Sequence, residues 1–201
     1  EKAPGKTARK VLQGDPETYR SAMGALAEVE MDVLLGVDAS GAARPVPLHA
    51  NPDFHDGQVL IDPDSRTVTL LDFGQAVPLS NSERDYGIEL LEILGRAADA
   101  ESAARRLNER APQGAEAIRP EELSSLLERG EPMDAFVRLL GLMEQKGNPV
   151  PLGTVHWVLA VNRQRALGAK IGKPVERALK GLVLTRHLGG SLKAYNHLRL
   201  A

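Results

Sequence analysis

Cysteine is absent from the 201 residues. Its absence excludes disulfides, thiolate metal sites and a cysteine nucleophile, and fits a reducing compartment. Aromatic residues are few, with one Trp, three Tyr and three Phe, whereas Ala, Leu and Arg are frequent, a balance that favours helices. No apolar run reaches the ~18 residues a membrane-spanning helix needs, and no signal-peptide pattern is present. The net charge of −2 leaves no electrostatic footprint for nucleic acid, and no such partner is expected. Internal repeats and low-complexity tracts are missing. A cytoplasmic location is the expectation. The chain starts at Glu1 rather than Met, which predicts a processed product or part of a longer protein. The length suffices for one domain with a real core, or one domain and an appendage.

What is there reads mainly as helix. Residues 1–14 are basic, with a short apolar element around Val11-Leu12. Asp15-Pro16 has the form of an N-cap followed by proline at the first helical position. The helix it opens should run to about Leu35 and end at Gly36, with Met23, Leu26, Ala27, Glu30, Met31 and Leu34 on its inner stripe. Residues 37–50 hold Gly41, Pro45 and Pro47 without a period and read as a loop. Two short strands are expected at 58–61 and 67–71, joined by Asp62-Pro63-Asp64-Ser65-Arg66 as the turn. Ser80 and Glu83 then have capping-box spacing. Beyond them helices are expected near 81–97, 99–111, 120–129, 132–147, 152–169 and 174–188, with a short one at 190–199.

The chemistry-bearing residues gather around the hairpin. Asn51-Pro52-Asp53-Phe54-His55-Asp56-Gly57-Gln58 precedes its first strand, and Asp72-Phe73-Gly74 follows its second. The hairpin should present Gln58 and Asp72 at its open end, on the same side, which would let residues remote in sequence share one metal ion. Phosphoryl-transfer sites need such a set: one Asp to orient or deprotonate a hydroxyl, and an amide oxygen and a second Asp to hold Mg²⁺. Any one of these residues alone has a plainer reading as a turn residue; the ordered set carries the signal.

That ordered set resembles the UbiB/AarF-type atypical kinases of the protein-kinase-like fold. They carry H-A-D-P-H-P-G-N before the hairpin, then D-F-G-x-V-x-x-L-S and a basic residue four positions after the serine. Asp53, His55 and Gly57 fall on the first pattern, and Asp72, Phe73, Gly74, Leu79, Ser80 and Arg84 on the second. The resemblance covers roughly residues 15–95. It implies a mainly α fold with a small β-hairpin: a kinase-like C-terminal lobe followed by a helical array. Residues 1–14 would be the post-hinge segment, 15–95 the core carrying the catalytic and metal-binding loops, and 96–201 a helical extension. It further implies Mg²⁺ and ATP as cofactors and a link to ubiquinone or other prenyl-quinone lipids. Asp53 and His55 would be the catalytic-loop residues, Gln58 and Asp72 the metal ligands, and Gly57, Phe73 and Gly74 the cofactor-binding positions.

The chain departs from that pattern at several positions, and Pro52 stiffens the approach. Asn51 stands at the first histidine, Asp56 at the second proline, Gln58 at the asparagine, and Val77 one position late. Nothing in the chain matches the N-terminal lobe, with its phosphate-covering loop, strand lysine and Lys-x-Gly-Gln segment. That lobe is therefore an expected partner, in cis or as a separate chain, and the 201 residues alone are expected not to turn over ATP. Two alternatives stand beside this reading: a catalytically inactive pseudokinase or interaction module, and a small-molecule phosphotransferase of the aminoglycoside or choline type. Elsewhere the plain readings are the simpler ones. His49 and His55 have no third ligand, and His55 is expected to brace the loop by hydrogen bonding. His156 beside Trp157 should be packing. Arg163, Arg165, Lys170 and Lys173 form a basic stretch that is a solvated face, with lipid or peripheral membrane contact as the alternative.

Overall fold

The computed structural model describes residues 3–36, 48–95, 100–127 and 132–172. The helices expected at 174–188 and 190–199 lie outside the described residues, as does Lys173. The described chain is mainly helical with a small amount of antiparallel sheet.

Two long helices form the frame. The first, α2 (Pro16–Leu35), follows a short strand β1 (Lys6–Thr7) and a helix α1 (Ala8–Gly14). Its start is fixed locally: the Asp15 carboxylate accepts a hydrogen bond from the Thr18 N–H at 3.0 Å, and Pro16 fills the first helical position. Gly36, at φ 71°, ends it in the left-handed conformation that glycine adopts without steric cost. The second long helix, α7 (Leu152–Ile171), ends in the same way at Gly172, with φ 73°.

Hydrophobic burial divides between two clusters, and both helices run through both. Tyr19, Met23, Leu26 and Ala27, from the start to just past the middle of α2, pack with Leu167 and Ile171 from the last turns of α7. Met31, Leu34 and Leu35 from the second half of α2 pack with Trp157, Val158 and Val161 from the first half of α7. The two helices are therefore antiparallel. Trp157 is wholly buried and donates its indole N–H to the Leu34 carbonyl at 2.8 Å. A bond of that kind satisfies the one polar atom of a large buried ring.

Each cluster carries its own piece of sheet. The first supports a three-stranded antiparallel sheet in the order β1, β3 (Val59–Asp62), β4 (Thr67–Leu70). The second supports a two-stranded ribbon of β2 (Leu48–Ala50) and β5 (Val77–Leu79). Three expectations are corrected here. The hairpin is not isolated, because β1 adds a third strand through Lys6↔Ile61 and Thr7↔Leu60. Within the basic segment, Lys6–Thr7 is a strand and Ala8–Gly14 a helix. The end of the 37–50 loop is strand β2, while residues 37–47 lie outside the described part. The three missed strands, β1, β2 and β5, are only two or three residues long, too short for alternation to register. Pro78 inside β5 also reads against a strand, and is tolerated because a two-stranded ribbon leaves one edge of each strand unpaired.

The remaining helices are α3 (Asn81–Gly95), α4 (Ala100–Glu109), α5 (Pro120–Leu127) and α6 (Pro132–Gln145), close to their expected positions. The α3 capping box is formed: Ser80 N–H donates to Glu83 Oε2 at 2.8 Å, and Glu83 N–H donates to Ser80 Oγ at 3.2 Å. Gly87 in α3 is required by contact, since a Cβ there would lie 2.4 Å from the Trp157 ring. Helices α3 and α4 are joined by charge. Arg106 donates to Glu89 and Glu92 at 2.9 Å each, and Arg110 adds a 2.6 Å pair to Glu89 while lying over the Tyr86 ring.

Candidate functional site

The two motif segments are the two crossings between the ribbon and the sheet. Residues 51–58 leave β2 after Ala50 and enter β3 at Val59. Residues 71–76 leave β4 after Leu70 and enter β5 at Val77. Ala50 pairs with Val77, and Val59 pairs with Leu70. Both ends of one segment are thus hydrogen-bonded neighbours of both ends of the other. One further rung, Leu71 N–H to the Gln58 carbonyl at 2.7 Å, carries the hairpin ladder outward to the residue before Asp72. Gln58, in the turn before β3, and Asp72, two residues past β4, flank the open end of the hairpin; Gln58 is buried and Asp72 exposed.

Residues 51–58 alternate. Phe54 and Gln58 are buried, whereas Asp53, His55 and Gly57 are exposed. The inward positions are each held. Phe54 packs into the cluster beneath the three-stranded sheet. The Pro52 carbonyl accepts from Arg163 Nε at 3.3 Å. The Asp56 carboxylate accepts from the Tyr19 hydroxyl at 3.1 Å and from the Lys170 ammonium. The motif residues Asp53, His55 and Gly57 are the ones left facing outward.

The end of this segment is a 3₁₀ turn, Asp56–Gln58, built on a reciprocal cap. His55 Nδ1 accepts from the Gly57 N–H at 3.0 Å, and the His55 N–H donates to Gln58 Oε1 at 3.3 Å. His55 Nδ1 is therefore the unprotonated ring nitrogen, and the imidazole is a brace within the loop. The brace also explains Gly57, where a Cβ would sit 2.8 Å from the His55 ring. The Asp53 N–H donates to Asn51 Oδ1 at 3.2 Å, an Asx-type turn that leaves the Asp53 carboxylate at the surface.

In the facing segment Asp72 has φ 59°, a left-handed conformation that aspartate tolerates better than most side chains. Its Oδ1 accepts from the Gly74 N–H at 3.0 Å, which stabilises the turn. Leu71, Asp72, Phe73 and Gly74 are all exposed, Phe73 by 59%.

The set offers two surface carboxylates, Asp53 and Asp72, on adjacent segments, and one buried carboxamide, Gln58. Carboxylate oxygens are hard donors that suit Mg²⁺. The Gln58 oxygen already accepts one bond, leaving its second lone pair for any other role. Among the described residues, no group of three or more His, Cys, Asp or Glu side chains is placed to hold a metal ion. Ion binding at this place therefore needs oxygens beyond the two carboxylates. A groove of about 490 Å³ lies elsewhere, lined by Glu101, Arg105, Asn108, Ile118 and Pro120 among others, and takes no residue from either segment.

Sequence reasoning missed Tyr19, Arg163 and Lys170. The signal for Tyr19 was its place at the head of the α2 stripe, four residues before Met23. Arg163 and Lys170 were read as part of a solvated or lipid-facing stretch, yet they reach the 51–58 loop. The Asp56 bond raises the Lys170 pKa above its ordinary value, against a lowering from desolvation. Burial raises the Tyr19 hydroxyl. No helix among the described residues is long and apolar enough to cross a membrane. No protein-family model, curated protein or solved structure matches the chain.

Proposed function

We propose that the chain is the C-terminal lobe of a UbiB/AarF-like atypical kinase or ATPase that uses ATP and Mg²⁺ and serves prenyl-quinone lipid metabolism. One observation carries the reading. The two motif segments are bracketed by the same paired strand ends, and they expose Asp53 on one and Asp72 on the other. In this reading Asp53 orients the attacking hydroxyl and takes its proton. Asp72 and the free lone pair of Gln58 hold the metal, which when bound neutralises charge on the phosphates. His55 and Gly57 fix the loop that carries Asp53. The phosphate-covering loop and lysine come from an N-terminal lobe, in cis or as another chain. Exposure of Leu71 and Phe73 beside Asp72 supplies apolar surface for such a lobe to cover.

A second reading has its own support. The Gln58 carboxamide is buried and spent on capping His55, which suits a loop kept for its shape in an inactive interaction module. Titrating a complete protein, N-terminal lobe included, with nucleotide separates the two. Mg²⁺-dependent binding that disappears in Asp72→Asn is expected. Failure to bind nucleotide under any metal condition gives the case to the inactive module.

A further inference from the structure

We infer that the contact of Tyr19 and Lys170 with Asp56 is a tether that positions the 51–58 loop, making Tyr19 and Lys170 positioning residues for Asp53 and His55. Asp56 Oδ2 accepts from both partners at once. Tyr19 is 1% exposed and lies in the first turns of α2; Lys170 lies in the last turn of α7, with its ammonium 5.4 Å from the Tyr19 ring centroid. The tether therefore joins the loop to the point where the two framing helices meet. Isolated surface ion pairs constrain little, because two long side chains lose entropy to hold one geometry. This pair differs in that the ring of one donor is already immobilised by packing.

Position passes from Asp56 to its neighbours through the backbone. Gly57 and Gln58 follow it directly, and their bonds to His55 close the turn. Arg163, two turns earlier on α7, fixes the Pro52 carbonyl on the other side of Asp53. The loop is thus held from one helix on both flanks of Asp53. A proline at position 56 would restrict the backbone covalently; here an aspartate is restrained through space, so the restraint can be released by changing a residue remote in sequence.

Amide hydrogen exchange on the 201-residue chain tests this. Lys170→Met and Tyr19→Phe should each speed exchange at Gly57 and Gln58 by ~10-fold or more while the β3–β4 ladder at Leu60 and Thr69 stays unchanged. Lys170→Arg keeps the charge and should keep the protection. Unchanged exchange in the loop, or equal acceleration in the ladder, would overturn the tether. Its catalytic meaning rests on the phosphoryl-transfer reading, and the two fail separately. A loop that responds to Lys170→Met in a protein that never binds nucleotide leaves the tether standing and removes only that reading.

Discussion

The two ends of the α2–α7 pair hold different kinds of structure. Around Trp157 the chain is densely packed, and three side chains reach backbone carbonyls remote in sequence. Trp157 bonds the Leu34 carbonyl, Thr154 bonds the Glu83 carbonyl at 3.0 Å, and Asn148 bonds the Leu107 carbonyl at 3.2 Å. Around the two crossings the motif residues bond locally, within two or three residues: Asp53 to Asn51, His55 to Gly57 and Gln58, Asp72 to Gly74; the distant partners Arg163, Tyr19 and Lys170 reach Pro52 and Asp56 instead. Short-range bonds shape a loop without burying it. One end of the molecule buries the larger cluster, and the other presents carboxylates at its surface. Substitutions should therefore separate the two by the size of their effect on folding.

The largest effect is expected at Trp157. Replacing it by Ala leaves a cavity and an unpaired Leu34 carbonyl, and should cost about 3–5 kcal/mol. Urea unfolding measures this; a loss below about 1 kcal/mol would mean that the end nearest Trp157 is not the stable one. Arg106→Met comes next. It removes the 2.9 Å guanidinium contacts to Glu89 and to Glu92, whose side chain is 2% exposed, and about 2 kcal/mol of destabilisation is expected, less than for a fully buried pair because Arg106 itself is 28% exposed. At the crossings, Asp72→Asn keeps the left-handed backbone and the bond to Gly74. Stability should stay within about 0.5 kcal/mol of the parent, while Mg²⁺-dependent nucleotide binding by the complete protein is lost. A destabilisation as large as that of Arg106→Met would erase the contrast between the regions.

The smallest effect concerns pH. The Arg119 guanidinium, with help from the Arg119 N–H and Lys146, holds the Glu122 carboxyl at about 2, below its ordinary 4.5. A carboxyl lowered on folding stabilises the folded state above its unfolded pKa, and that contribution is lost as pH falls through the folded value. The difference in urea midpoint between the parent and Glu122→Gln should be constant above pH 4.5 and close as pH approaches about 2. A difference that widens with acid would contradict the assignment.

Legibility in the sequence followed the range of the interaction. Asp15-Pro16, Gly36, the Ser80–Glu83 box and Gly172 are local signals, and each acts where the sequence places it. The α2 stripe is also local, because helical periodicity records which face is buried; Met23, Leu26, Ala27, Met31 and Leu34 are all inside. The hairpin was readable from its turn, and with it the neighbourhood of Gln58 and Asp72. The ribbon was not readable, since Leu48–Ala50 finds Val77–Leu79 only after the whole hairpin has intervened. Nor was the fate of Gln58: spacing suggested an oxygen for a metal, and the fold gives that oxygen a bond to the His55 N–H.

By itself the sequence determined the helices from α2 to α7, the caps of α2 and α3, the hairpin, and the order in which Asp53, His55, Gly57, Gln58 and Asp72 appear. Each depends on residues a few positions apart, whose preferences act before any distant contact forms. Only the tertiary structure decided that the two motif segments lie between the same strand ends. It also decided that Asp56 meets Tyr19 and Lys170, and that Glu89 and Glu92 share Arg106. Those meetings join residues far apart in the chain, and their loop-closure cost is offset only when the antiparallel packing of α2 and α7 buries both clusters together.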